Sequence, residues 1–199
     1  TLRIHLKSKN IGTLIDFFSA RKDIKEKIIR VLHNLSFVED PTRVFRAIRF
    51  EQRFGYQIEK RTGELLKNAL GLLDRVSGDR IRHEFNHMFK EPACEAMFDR
   101  MAELGVLAEI HPGLPWDAAA RQRISKGREM TQPEDWLPRQ GKQEEQPLHP
   151  AVIYLSWLLA LEREDAASVA KRLRLPGWMV EQLGAAHLLW KKLEELTEF

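Results

Sequence analysis

The run Ser36-Phe-Val-Glu-Asp-Pro-Thr-Arg-Val-Phe-Arg-Ala-Ile-Arg-Phe-Glu-Gln-Arg-Phe54 places Arg43, Arg46, Arg49 and Arg53 behind an aspartate and a proline. Asp40 suits a helix N-cap and Pro41 the first helical position, so a helix is expected to start here. At about 100° per residue the four guanidinium groups fall within roughly a third of its circumference. Val44, Ala47, Ile48 and Phe54 share another face, which can pack. Such a ladder repels itself, and an anion such as a triphosphate or an RNA backbone laid along it relieves the repulsion. Asp40 and Arg43 offer something more specific. A carboxylate acceptor three residues from a guanidinium donor can meet the donor and acceptor edge of a base, and so choose a nucleotide without a template. Periodicity alone fits a solvated basic face equally well, with Asp40 only its cap.

A second constellation, His83-Glu-Phe-Asn-His87, matches the H-E-x-x-H pattern of zinc peptidases, in which two His bind metal and the Glu acts as base. Here Ile81, Phe85, Met88 and Phe89 form the apolar stripe, which leaves both His off its centre. Arg80 and Arg82 add cations nearby, and Glu103, Glu109 and His111 are the available third ligands. No metal site is expected, and a zinc peptidase remains a remote alternative. Cys94 lacks a basic neighbour and reads as a buried structural thiol. Trp157 and Trp190 lie in apolar helical periods and read as core; Trp136, in a polar stretch, is a candidate base-stacking platform. Lys191 and Lys192 read as a solvated face.

The elements that must position these groups are nearly all helical. Leu2 to Leu6 alternates apolar and basic residues and is expected to form one short strand with no partner elsewhere in the sequence. Short apolar helices are expected at Leu14–Phe18 and Asp23–Leu35. Beyond the Arg helix and a break at Gly55, the pattern predicts helices at Glu59–Leu73, from the Ser77 N-cap, and from Pro92 to Leu104. A turn-rich break at His111-Pro-Gly-Leu-Pro marks a soft boundary. A further short helix, Trp116–Ser125, leads into a Pro-rich loop between Gly127 and Pro150. Helices at Ala151–Leu161, Asp165–Leu173 and Gly177 to about Leu196 close the chain. No repeat or long heptad run is present.

With 43% hydrophobic and 31% charged residues in 199, the chain can bury a core. Its 32 Lys and Arg exceed its 29 Asp and Glu only slightly, for a net charge of +3. Where the charge sits must therefore decide the partner. One cysteine excludes an internal disulfide, and no run approaches the roughly 20 apolar residues needed to span a bilayer. A reducing, cytoplasmic setting with no membrane partner is expected. The absence of an initiating Met reads as a chain cut from something longer.

Ile28-Ile-Arg-Val-Leu-His-Asn-Leu-Ser-Phe-Val-Glu-Asp-Pro-Thr-Arg-Val-Phe-Arg-Ala-Ile-Arg-Phe, followed by Asp74-Arg-Val-Ser-Gly-Asp-Arg-Ile-Arg-His-Glu, closely resembles the neck of class II tRNA nucleotidyltransferases and bacterial poly(A) polymerases. The likeness is densest over residues 11–110. It implies an all-α fold of neck, body and tail, with a short N-terminal strand left over from the head domain. The implied division is a head remnant at 1–25, a nucleotide-selecting and RNA-binding neck and body at 26–110, a connecting segment with the Pro-rich loop at 111–150, and a C-terminal helical body and tail at 151–199. By the resemblance, Asp40 and Arg43 read the base of the incoming nucleotide and Arg46 and Arg49 hold it. Glu39 supports that loop, and Arg80 with Glu84 braces the neck. The implied substrates are ATP, with CTP in a CCA-adding enzyme, and the 3′ end of tRNA or another RNA. Two departures stand out. Ser19-Ala20 replaces the family's frequent Gly-Gly, and the D-x-D carboxylates that would hold Mg²⁺ in the head are absent. This implies a missing head domain in the same polypeptide and a chain that is inactive alone. The long spelled motif resembles most the large A-adding type, while CCA addition and poly(A) synthesis stay open. A stand-alone RNA-binding helical module is the alternative from another class.

Overall fold

The computed structural model describes residues 2–4, 12, 14–130 and 148–197; side chains are described within 12, 14–130 and 150–193. The chain divides into two compact units, Thr1–Leu73 and Asp74–Phe199. Helix dominates both, as the sequence predicts.

The first unit opens with β1 (Leu2–Ile4), which pairs antiparallel with β2 (Leu14–Asp16). The expected lone strand therefore has a partner, and the expected helix at Leu14–Phe18 is a strand and a turn. Asp16 explains the turn: its carboxylate accepts from the backbone N–H groups of Ala20 and Arg21 and so caps α1 (Ala20–Glu26) from outside. Those backbone hydrogen bonds, that of Arg21 first, hold the half-buried Asp16 carboxyl below its ordinary pKa. Helix α1 then ends at Lys27, whose φ of 56° is left-handed. The expected helix from Asp23 to Leu35 is thus cut short. The adjacent β-branched residues Ile28 and Ile29 instead form β3, parallel to β4 (Gln57–Ile58). The Lys27 and Ile29 carbonyls accept from Gln57 and Glu59 at 2.9 and 3.0 Å, and the buried Glu51 caps the ladder by accepting from the Ile58 N–H.

Between those strands lie α2 (Ser36–Glu39) and α3 (Arg43–Phe54), followed by α4 (Lys60–Asn68) and a 3₁₀ turn at Leu70–Arg75. Phe37, Val44, Phe45, Ile48, Leu66 and Leu73 are almost fully buried. Phe45 was not on the predicted apolar face, while Phe54, which was, is 52% exposed and stacks on Phe50. Gly55 ends α3 at a φ of 61°, a conformation that glycine adopts without a Cβ penalty.

The second unit is built from α5 (Gly78–Phe89), α6 (Cys94–Glu103), α7 (Val106–Ile110), α8 (Ala118–Glu129), α9 (Leu148–Leu158), α10 (Arg163–Arg172) and α11 (Gly177–Thr197). The predicted stripe of α5 is its buried face: Ile81, Phe85, Met88 and Phe89 are each at most 1% exposed. Phe98 lies within 5.2–5.6 Å of the rings of Phe85, Phe89, Trp116 and Trp157. Cys94 is buried, and desolvation pushes its thiol up to about 12, which keeps it protonated and inert. Trp157 is core as expected, but Trp190 is 37% exposed. Helix α8 runs past Gly127 to Glu129, and α9 starts before Pro150. Between them, residues 131–147 of the predicted Gly127–Pro150 loop, with the candidate stacking residue Trp136, lie outside the described residues.

Candidate functional site

The segment from Ser36 to Arg43 is a knot of local hydrogen bonds. Asp40 has extended backbone angles, and its Oδ1 accepts from the Thr42 N–H at 3.1 Å and from the Thr42 hydroxyl at 2.7 Å. That is the geometry of an N-cap bonded two residues on. Arg43, Val44 and Phe45 donate to the carbonyls of Asp40, Pro41 and Thr42, so the first turn is wound as i→i+3 and α3 proper begins at Arg43. The predicted helix is present but begins later than expected: Thr42 precedes its first residue, and Asp40 and Pro41 lie ahead of it.

Arg43 is turned back toward α2. One terminal nitrogen donates to the Ser36 carbonyl at 3.0 Å and lies 3.6 Å from a Glu39 carboxylate oxygen. The same Glu39 oxygen is 3.5 Å from His33 Nε2. Glu39 and His33 are about half exposed, so these pairs orient side chains more than they stabilise the fold. A guanidinium has five N–H donors, and Arg43 commits a single nitrogen to Ser36 and Glu39. Asp40 and Arg43 thus stand at the start of one helix, the carboxylate fixed by Thr42 and the guanidinium by Ser36 and Glu39.

Further along α3, Arg46 is exposed, Arg49 is partly buried with its guanidinium 5.3 Å from the Phe50 ring centroid, and Arg53 lies 5.5 Å from that of Phe54. Arg46 makes no side-chain hydrogen bond or ion pair among the described residues. Arg80 and Glu84 sit on α5, in the second unit, so the expected set is divided between the two units. Arg80 is exposed; Glu84 has one carboxylate oxygen that is buried and accepts no hydrogen bond among the described residues.

Three contributors escaped the sequence reading. Thr42 had a signal in Asp-Pro-Thr, the signature of an aspartate bonding its own backbone two residues on. The Ser36 carbonyl had none, since every residue carries one. His33 had only its identity. As for metal, no group of three or more His, Cys, Asp or Glu that could hold an ion occurs among the described residues. None of the described helices is long and apolar enough to cross a membrane.

Residues 55–117 match the family described as "Probable RNA and SrmB- binding site of polymerase A". That stretch takes in α4 to α7 and leaves Asp40 to Arg49 ahead of it. The A-adding tRNA nucleotidyltransferase of Geobacter sulfurreducens is 53% identical over 116 residues, 57% of this chain and 13% of the relative. That of Aquifex aeolicus is 31% identical over 183 residues, 90% of this chain and 22% of the relative. Among solved structures, the Thermotoga maritima CCA-adding enzyme complexed with tRNA matches with a TM-score of 0.75 at 33% identity, over 99% of this chain and 47% of that one. A CCA-adding enzyme in complex with ATP matches with a TM-score of 0.77 at 32% identity, over the same shares. The chain spans less than a quarter of these curated relatives and about half of these structures' chains. Fold and motif together define the helical part of a nucleotidyltransferase. Residues 55–117 carry that RNA-binding family's match, and over the part of its relatives that it spans the chain is similar to tRNA nucleotidyltransferases.

Proposed function

We propose that the chain is the nucleotide-selecting and tRNA-binding part of an enzyme that adds AMP, or CMP and AMP, to tRNA 3′ ends. The observation that carries this reading is the Ser36–Arg43 knot, which fixes a carboxylate and a guanidinium at the start of an arginine-lined helix. Asp40 and Arg43 read the base edge of ATP, or of CTP in a CCA-adding enzyme, while Arg46 and Arg49 hold the nucleotide. Glu39 keeps Arg43 oriented. Residues 26–110 hold nucleotide and RNA, with Arg80 and Glu84 bracing the neck, and residues 151–199 serve as tail. The 53% identity to an A-adding enzyme favours AMP addition.

Mg²⁺ does not fit the residues present. The sequence holds no D-x-D, and the described residues gather no acidic cluster, so no step is assigned to the ion here. It belongs to a head domain in the same polypeptide, and the chain alone transfers no nucleotide.

The test has two arms. Fluorescence anisotropy with labelled tRNA should show binding by this chain that weakens steeply with salt, as phosphate contacts require. With ATP and Mg²⁺ it should leave the tRNA unextended, and the longer enzyme carrying these residues behind a D-x-D head should extend it. Failure to bind tRNA at low salt would overturn the RNA-holding role. The reading of a stand-alone RNA-binding module, favoured only by the family match at 55–117, gains if no head lies upstream in the reading frame.

A further inference from the structure

We propose that His83 and His87 form a bidentate surface site for a divalent transition ion, copper(II) ahead of nickel(II) and zinc(II). The two lie one turn apart on α5, with their Nε2 atoms 3.0 Å apart, their ring centroids 4.5 Å apart and their planes at 89°. The nitrogens are closer than the centroids, so both rings turn their Nε2 edges toward each other. Two nitrogens at 2.0–2.1 Å from a shared ion and this far apart subtend about 94° at it. That angle is near the right angle of a tetragonal site, the preference of copper(II) and nickel(II), and short of tetrahedral.

Exposure of His83 lets water fill the remaining positions. Asp79, one turn earlier on the same side, is held by Arg82 at 2.9 Å and Arg174 at 3.0 Å and does not complete the set. The absence of a third ligand among the described residues separates this chelate from a peptidase centre. Between neutral rings the 3.0 Å approach is one N–H···N hydrogen bond. Ion binding shifts that proton from Nε2 to Nδ1 of the same ring by exchange with solvent, so both rings stay neutral and both Nε2 lone pairs are directed to the metal. Because α5 lies within residues 55–117, a bound ion adds positive charge to the stretch matched by the RNA-binding family model and clamps one of its helical turns.

The test is a copper(II) titration of the untagged chain, followed by calorimetry and electron paramagnetic resonance. The expected result is one equivalent whose spectrum reports two imidazole nitrogens. His83→Gln or His87→Gln should each lose at least about a hundredfold in affinity, the gain that linking two ligands confers. Far-UV circular dichroism of each variant verifies that the helix is kept. Unchanged copper uptake by the double variant, or no stoichiometric uptake by the unaltered chain, would overturn the proposal. Neither outcome bears on the nucleotide-selecting role.

Discussion

Two helices of twelve residues, α3 and α5, each set arginines beside a buried stripe and use them in opposite ways. On α5, Arg82 is consumed inside the protein. It donates to the carbonyls of Leu173 and Arg174 and pairs with Asp79, which in turn binds Arg174. Arg174 first, then Arg82, hold the Asp79 carboxyl below its usual pKa. On α3 the use is graded: Arg46 points to solvent, Arg49 is partly buried, and Arg43 is oriented by a carbonyl and a half-exposed carboxylate. An arginine count therefore says little about function. What matters is how much of the guanidinium the chain's own groups engage: both terminal nitrogens of Arg82, one of Arg43, and none of Arg46 among the described residues.

The largest expected effect is at the start of α5. A Cβ on Gly78 would lie 2.2 Å from the Arg172 carbonyl oxygen and 2.8 Å from the Leu173 carbonyl carbon. Those are backbone atoms that cannot swing aside. Gly78→Ala should cost about 3 kcal/mol in urea-induced unfolding, at the upper end for overpacking. A loss under about 0.5 kcal/mol would mean that α5 is not docked on the α10–α11 junction as described.

Arg82→Met against Arg46→Met sharpens the contrast directly. The first removes charged hydrogen bonds to backbone acceptors and should cost about 2 kcal/mol. The second should change stability by less than about 0.5 kcal/mol and weaken nucleotide binding by the longer enzyme instead. Equal stability effects would erase the distinction between the two helices.

A third test concerns the cap of α4. Glu59 accepts from the Thr62 N–H and hydroxyl, each at 2.9 Å, and the backbone hydrogen bond foremost lowers its pKa. A lowered folded pKa gives stability that is present above the unfolded value and lost as pH falls through the folded one. Glu59→Ala should therefore cost about 1 kcal/mol at neutral pH. The gap to the unaltered chain should narrow below pH about 4.3, the ordinary glutamate value. A gap independent of pH would assign the cost to something other than the carboxylate.

The smallest effect is at Ser19, which sits at a φ of 54°, a left-handed conformation that glycine favours. Ser19→Gly should add about 0.5–1 kcal/mol, read as a shift in the urea midpoint; a loss would place a side-chain role at Ser19.

Ser19-Ala20 also bears on what was legible in the sequence. Its departure from Gly-Gly raised the expectation of a differently built turn, yet Ser19 takes a positive φ of the kind glycine favours, and the capping of α1 by Asp16 carried no signal. The stripe of α5 was legible because four large apolar residues repeat at helical spacing and all are buried. The pairing of Ile28–Ile29 with Gln57–Ile58 was not, since it joins two dipeptides across two intervening helices and leaves no local period. The same limit hid the partner of β1. At the candidate site, side-chain chemistry announced Asp40 and Arg43, whereas the Ser36 carbonyl that turns Arg43 back carries no sequence signal.

The central claim is that Asp40 and Arg43 choose the base. Its most direct test is the ratio of kcat/KM for ATP to that for each other nucleoside triphosphate, measured in the intact enzyme that carries this chain, with Arg43→Ala. Asp40→Asn, whose Oδ1 can keep the Thr42 hydrogen bonds, separates base reading from capping. Loss of a bidentate base contact should cut the ratio by about 1–3 kcal/mol, roughly 5- to 150-fold, in either variant. A lower rate with an unchanged ratio in both would contradict base reading and leave the pair a structural knot.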